Sequence, residues 1–386
     1  MKLVFLADIP WDALWQRPQH LATRFAARWQ VLWVQPMTLA HGGPVRPVPV
    51  AENIHALAVP LFPLNARSRV IRATTRPVSR VPAARSLLVA AQSAMLRSGL
   101  ATMRDEGPTV VFMENFQLLH AAERLGPSLL AFDYIDNAFG FAEFPAYVLR
   151  TWQRAVRRAD LVTVTAPELG RLIRAETPRE VHLVPNAVEF ARFADEGGST
   201  RPPDLPPPGR PVVCYIGSIY PWVDFTLIGA LADAMPDAWV VLIGHPHPDV
   251  RDALDALQQR PNVRFLGLKP YREVPRYLAH ADAGIIPFRR NELTASVNPV
   301  KLYEYSAAGV PTVASDFADD LRAFGDIVAV AGSPERFVAA VREAVELRRD
   351  PDHRGRLQEF ARANDWDARA ATLVSLIDGA LARRAR

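Results

Sequence analysis

The chain has 386 residues, 49% of them apolar and 22% charged, with a formal net charge of +4 and one cysteine. Such a length exceeds one comfortable core, so two domains are expected. The lone Cys214 excludes an internal disulfide and reads as a small buried residue in a reducing cytoplasm. No uncharged apolar run reaches the roughly 18 to 20 residues needed to span a bilayer. "MKLVFLADIPWD" meets two acids after one strand's length, which suits neither a secretory signal nor a spanning helix.

In chain order, short apolar runs alternate with helical patterns. Strands are expected at 2–7, 31–35, 109–113, 129–134, 161–165 and 181–184, and again at 212–217, 239–244, 263–267, 283–288, 311–315 and 327–330. Between the two sets lies "RPPDLPPPGRP" (201–211), six prolines in eleven positions, which reads as a stiff connector. Continuous apolar strands separated by helices predict parallel sheets covered on both faces. Each half is therefore expected to be a doubly wound α/β domain, over 1–200 and 201–365, with ligands at the carboxyl ends of the strands and a cleft between those ends.

Charge is unevenly placed. From Asn53 to Arg104 there is no acid, while Arg67, Arg69, Arg72, Arg76, Arg80, Arg85, Arg97 and Arg104 fall inside, interleaved with Leu61, Phe62, Val70, Leu87 and Leu88. The interval is either a solvated helix face or a basic, partly amphipathic surface for anionic lipid or an acidic, lipid-linked substrate. Nucleic acid is disfavoured because no regular aromatic stacking positions accompany the charge.

Only three residues are lysines: Lys2, Lys269 and Lys301. In "NELTASVNPVKLYEYSAAGVPTVAS" (291–315), Asn298 reads as an N-cap, Pro299 as the first helical residue and Gly309 as the terminator, so a helix is expected over 299–308. Lys301 then opposes the positive end of the helix dipole. A diphosphate seated between them would resolve the conflict, and a compact ammonium suits one phosphate oxygen. Glu304 and Tyr305 share the lysine's face. The plain alternative is a Lys301–Glu304 surface pair.

These residues carry a resemblance. "NPVKLYEYSAAGVPTVAS", preceded by "PNVRFLGLKPYREVPRYLAHADAGIIPF", resembles the donor domain of bacterial GT-B glycosyltransferases in the family-4-like branch. That branch builds cell-wall and exopolysaccharides and includes the teichuronic acid glycosyltransferases. "IGSIYPWVDFTLIGALADAMPDAWVVLIG", "LVPNAVEFARF" and "WQRPQHLATRFA" match further segments in the same order, so nearly the whole chain is covered. The resemblance implies two Rossmann-like domains facing across a cleft, with a final helix (366–386) returning to the first. It also implies metal-independent transfer of a hexose-type sugar from a nucleotide diphosphate sugar, most readily a UDP-sugar, to a saccharide or lipid-linked saccharide acceptor. No cofactor is implied. The location would be cytoplasmic, with peripheral attachment to the inner membrane face through 53–104.

On that resemblance the base is held by Leu268, Lys269 and Tyr271, the diphosphate by Gly217, Ser218, Asn298 and Lys301, and the ribose by Glu304. A glutamate common in retaining members, eight residues before Glu304, is Ser296 here. Glu292 is the nearest substitute, so stereochemistry does not carry over. If the reaction inverts, a carboxylate must take the acceptor's proton. Asp136 in "AFDYIDNAFGF" is the candidate, with Glu143 behind it, against an ordinary turn role for an aspartate. Acceptor contacts are expected from Trp11, Asp12, Gln16, Arg17 and His20, beside Asp8 and Trp15, against the reading of a capped helix with Trp15 in the core. Asp224 reads as a ligand or helix cap, and Asp319–Asp320 as a helix start rather than a metal site. Rival functions are a nucleotide-sugar epimerase and a non-catalytic nucleotide-sugar sensor. An NAD enzyme is disfavoured, because neither first strand precedes G-x-G-x-x-G.

Overall fold

The computed structural model describes residues 1–37, 42–64, 68–141, 144–194 and 200–384. The chain divides into two compact units. Met1–Pro185 with Arg369–Arg386 forms the first, and Asn186–Ala368 the second.

In the first unit the apolar runs become β1 (Lys2–Leu6), β2 (Gln30–Pro36), β3 (Val48–Ala51), β4 (Ile54–Val59), β5 (Thr109–Met113), β6 (Leu129–Tyr134), β7 (Leu161–Val164) and β8 (His182–Leu183). Among the described residues they order as β3-β4-β2-β1-β5-β6-β7-β8. Every pair is parallel except β3 with β4. Sequence pattern missed β3 and β4. β3 alternates around Pro49 and is largely exposed, while β4 is hidden in the run "IHALAV" inside the acid-free interval.

The second unit holds β9 (Val212–Ile216), β10 (Trp239–Ile243), β11 (Val263–Phe265), β12 (Ala283–Ile286), β13 (Thr312–Ser315) and β14 (Val328–Ala331). All pairs are parallel, in the order β11-β10-β9-β12-β13-β14. Both sheets reverse direction beside their first strand, at β1/β5 and at β9/β12. In doubly wound sheets these switch points open a crevice at the strands' carboxyl ends, which is where ligands bind.

The proline-rich segment does not separate the units; the division falls earlier, at Pro185/Asn186. Prolines bar it from helix and sheet, yet leave it free to pack. Leu205 enters the second core, and the Asp204 carboxylate accepts from the Tyr277 hydroxyl (2.9 Å) and pairs with the Lys269 ammonium (2.6 Å). The Asn186 backbone N–H donates to Asn298 Oδ1 at 2.8 Å, fastening the chain to the second unit as soon as it enters it. The last helix, Trp366–Arg384, begins in the second unit and ends in the first, where Asp378 pairs with Arg28 (3.0 Å) and Arg384 pairs with Asp160.

Close packing at the second switch point depends on a missing side chain. A Cβ on Gly284 of β12 would lie 2.5 Å from the buried Tyr305 ring. Gly284→Ala is therefore expected to destabilise the second unit by about 1–3 kcal/mol, seen as a lower urea midpoint. An unchanged midpoint would mean that the ring has room to shift.

Candidate functional site

In the second unit, β9 ends at Ile216 and the chain turns at Gly217 with φ +140°. Across from it, β12 runs through 287–299 into the helix Val300–Ala307. That helix starts one residue later than expected, with Pro299 at the cap position and no side chain capping it. Asn298 is not the cap. Its Oδ1 accepts from the Asn186 N–H and the Tyr303 hydroxyl (3.1 Å), so it fastens backbone rather than facing a ligand. Gly309 terminates the helix in the left-handed conformation, φ +64°, as read from sequence.

Lys301 is half-buried and lies along the Gly217 turn. A Cβ on Gly217 would come within 2.4 Å of its Cε and 2.6 Å of its Nζ and would push the flexible end of the lysine aside, while φ +140° itself favours glycine at the turn. The ammonium sits 5.4 Å from the Tyr215 ring centre and 5.3 Å from that of Phe288. No carboxylate comes within ion-pair distance of it among the described residues. Burial lowers the Lys301 ammonium and raises the buried Glu304 carboxyl, and each opposes the other's shift through its charge. The pair is thus electrostatically linked but not joined by a hydrogen bond.

The other residues expected around a nucleotide are placed as follows. Ser218 O accepts from the Tyr215 hydroxyl at 2.6 Å, which shapes the turn after β9. Leu268 is exposed on the loop after β11. Lys269 is turned to Asp204, and the Tyr271 ring packs 5.6 Å from that of Phe193. Only backbone from this loop is left to meet a ligand. Glu292 is exposed, and Ser296 is fully buried, donating to the Leu293 carbonyl at 2.8 Å. Asp224 caps the helix Phe225–Ala234 through the Thr226 and Leu227 N–H groups. Asp319 opens a 3-10 segment and pairs with Arg290.

In the first unit, two of the residues expected to touch an acceptor are framework instead. Arg17 is buried and forks onto Asp133 at 2.9 and 3.2 Å, while also donating to the Pro185 carbonyl at 3.0 Å. A cation at a helix start is unfavourable by itself, and the buried carboxylate of β6 offsets it. His20 is buried and accepts the Trp15 indole N–H at 3.0 Å. Trp11 packs edge-on to Trp15 and Trp33, Gln16 closes a reciprocal cap with Gln19, and Asp12 is exposed. Glu143 and Arg67 lie outside the described residues.

What pattern reading missed is Glu114, directly after β5 at the switch point. Its backbone N–H donates to the Leu6 carbonyl at 3.0 Å, which sets it beside the end of β1. The side chain is buried, and neither carboxylate oxygen has a hydrogen-bond partner. Desolvation first, then the charge of Asp133, hold it well above the ordinary carboxyl range; Arg17 opposes the shift, and Asp8 and Asp136 add to it. Desolvation also raises Asp136 to about 7, with the charge of solvent-exposed Asp8 adding to the shift. The signal was present in "TVVFMEN": an acid closing an apolar strand, as Asp133 does in "LLAFDY".

Residues 210–346, inside the second unit, match the family Glycosyl transferases group 1. Over 233 residues, 58% of this chain, the sequence is 28% identical to TuaH of Bacillus subtilis (strain 168), named as a teichuronic acid biosynthesis glycosyltransferase. The match spans 59% of that relative's length. Among solved structures, Anabaena Alr3699/HepE in complex with UDP and glucose superposes with a TM-score of 0.66 at 15% identity, over 98% of this chain and 99% of that one. The catalytic domain of Arabidopsis thaliana starch synthase IV, bound to ADP and acarbose, does so with 0.66 at 13% identity, over 99% of each. The fold is GT-B, and 210–346 is similar to the glycosyl transferases group 1 domain, in line with the resemblance.

The acid cluster makes a pH prediction. Asp136 binds its proton more tightly folded (about 7) than free (3.8), so its contribution to stability is complete below about pH 4 and fades as pH rises through 7. Asp136→Asn should flatten the decline of the urea midpoint over that window and be the more stable protein above it. Parallel curves for the two proteins would mean that Asp136 is solvated.

Proposed function

We propose that this chain transfers a sugar from a nucleotide diphosphate sugar, with UDP as the favoured carrier, to a saccharide or lipid-linked saccharide acceptor. The observation that carries the reading is Lys301: an ammonium held over two aromatic rings by a glycine turn, at a switch point, with no acid in ion-pair distance. An anionic ligand would complete that environment. Supporting it are the group 1 match and the UDP, UDP-glucose and saccharide named in complexes of the structural neighbours.

In the reaction an acceptor hydroxyl oxygen forms a bond to the anomeric carbon. The bond from that carbon to the diphosphate oxygen breaks, and its electron pair leaves with the nucleotide. Lys301 stabilises the charge growing on that leaving group, an electrostatic role strongest in the transition state. Glu304, one turn along, accepts from ribose hydroxyls. In an inverting course, the acceptor's proton goes to Asp136, whose affinity near pH 7 suits a general base. Neutral Glu114 donates a hydrogen bond to the acceptor sugar. No metal is assigned a part.

No helix among the described residues is long and apolar enough to cross a membrane. The helix Arg69–Arg80 carries Arg69, Arg72, Arg76 and Arg80 on one side, and Val70 beside them is 72% exposed. This surface is proposed to rest on anionic lipid, where an acceptor with a lipid tail is held.

UDP at 100 times its dissociation constant should stabilise the protein by about 2.7 kcal/mol, read as a thermal shift. Lys301→Ala should abolish most of that gain, and Gly217→Ala should reduce it by displacing the lysine. A shift of unchanged size in both variants would remove the lysine from the nucleotide site, and no response to any nucleotide diphosphate would overturn the transferase reading.

A further inference from the structure

The first unit contains a cavity of about 630 Å³ away from the acid cluster. Its walls are the helices Pro82–Ala101, Leu119–Glu123 and Ala146–Arg158, together with Leu61 and Phe62 after β4. These helices follow β4, β5 and β6 on one face of the sheet. The size suits one organic ligand rather than a solvent crevice.

Five arginines line it against one acid. Glu123 is shared by Arg154 (3.0 Å) and Arg158 (3.3 Å), with His120 at 3.5 Å, so one carboxylate faces two guanidiniums. Arg124 and Arg150 have no ion pair among the described residues. Arg85 lies 4.8 Å over the Tyr147 ring and donates to the Ser79 and Arg80 carbonyls, tying the cavity to the end of the arginine helix. The lining also includes the apolar side chains of Leu61, Phe62, Leu88, Val89 and Val148. Gln92, also in the lining, is 1% exposed. Its amide N–H donates to the Pro60 carbonyl at 2.7 Å, but its Oε1 is buried with no partner. A buried carbonyl left unpaired is costly and points to a donor supplied from outside the chain. At the adjoining surface Val78, Val81 and Leu87 are exposed, Leu87 by 74%.

We infer that this cavity binds a single phosphorylated membrane lipid, its phosphate among Arg124, Arg150 and the Glu123-linked arginines and its chain against the apolar side chains. Arginine forks match phosphate oxygens in pairs. A glycerol or sugar hydroxyl of the head group would donate to Gln92 Oε1. An inorganic anion would leave the apolar side chains unused, and a neutral lipid would leave the arginines unanswered. The site is separate from the proposed nucleotide site, so the two can be tested apart.

The test is calorimetric titration of the full chain with monomeric dioctanoyl phosphatidylglycerol, with dioctanoyl phosphatidylcholine and inorganic phosphate in parallel. Saturable binding of one phosphatidylglycerol is expected, with much weaker binding of the other two. Arg124→Ser combined with Arg150→Ser should weaken it at least about tenfold, equivalent to about 1.4 kcal/mol. Gln92→Leu should also weaken it, whereas Arg69→Ser with Arg72→Ser on the neighbouring helix should not. Inorganic phosphate binding as tightly as the lipid would overturn the inference, because charge alone would then explain the cavity. So would loss of binding only in the arginine-helix variant, which would leave surface electrostatics as the whole effect. The UDP-induced thermal shift, measured on the same variants, should stay intact. If UDP gives no shift in any variant while the lipid still binds, the transferase reading fails and the cavity assignment stands.

Discussion

The structure of the second unit turns on one packing constraint: an ammonium laid against the turn that follows the first strand of its sheet. Gly217 turns at φ +140° with the end of the Lys301 side chain against it, and Gly244 admits no Cβ, which would lie 1.8 Å from the Gly217 carbonyl oxygen. Two consecutive strand ends are thereby brought close enough for a helix start and a loop to converge. Placing a cation where desolvation disfavours it is destabilising in the free protein. Residues that break local rules in this way are expected at functional positions, and here the conflict is one that an anionic ligand relieves.

The first unit uses the same geometry with the opposite charge. At the β1/β5 switch point the chain gathers Asp8, Glu114, Asp133 and Asp136, and provides one buried guanidinium, Arg17, bonded to Asp133. The remaining carboxyls are left to share protons rather than partners. Carboxyl groups in such a cluster titrate together over a range nearer neutrality than isolated ones. A cluster of this kind can both donate to a sugar hydroxyl and receive a proton from one.

Away from both strand ends, the helical layer over β4 to β6 is rich in arginine. Acids are absent from Asn53 to Arg104, so the arginines there cannot be neutralised locally. On the helix Ala146–Arg158, Arg154 and Arg158 share Glu123, Arg157 pairs with Glu176, and Arg150 has no ion pair among the described residues. Exposed valines and a leucine are interspersed. The combination of fixed positive charge with apolar surface matches the chemistry of a phosphorylated amphiphile, and it is physically distinct from the aromatic and acidic surroundings of the switch point.

Much of this was fixed locally. All but two of the strands follow from runs of apolar residues, because parallel strands covered on both faces must be apolar throughout. The stop at Gly309 and the position of Lys301 near a helix start follow from steric and dipolar rules that act within a few residues. β3 escaped because it is exposed and carries a proline, whereas β4, bounded by Asn53 and Pro60, carried a strand signal that pattern reading missed. The proline-rich segment was legible as irregular but not as part of the second unit, since proline restricts backbone without saying what it packs on. Asn298, Arg17 and His20 have the residue types of ligand-binding groups, yet each is occupied by a partner: Asn186 and Asp133, both distant in sequence, and the neighbouring Trp15. Glu114 is the converse, a residue of no special pattern made unusual by burial without a partner. Hydrophobic periodicity and turn chemistry are short-range properties and can be read from sequence. Desolvation and charge pairing depend on which segments meet in space, so only the tertiary structure decided them.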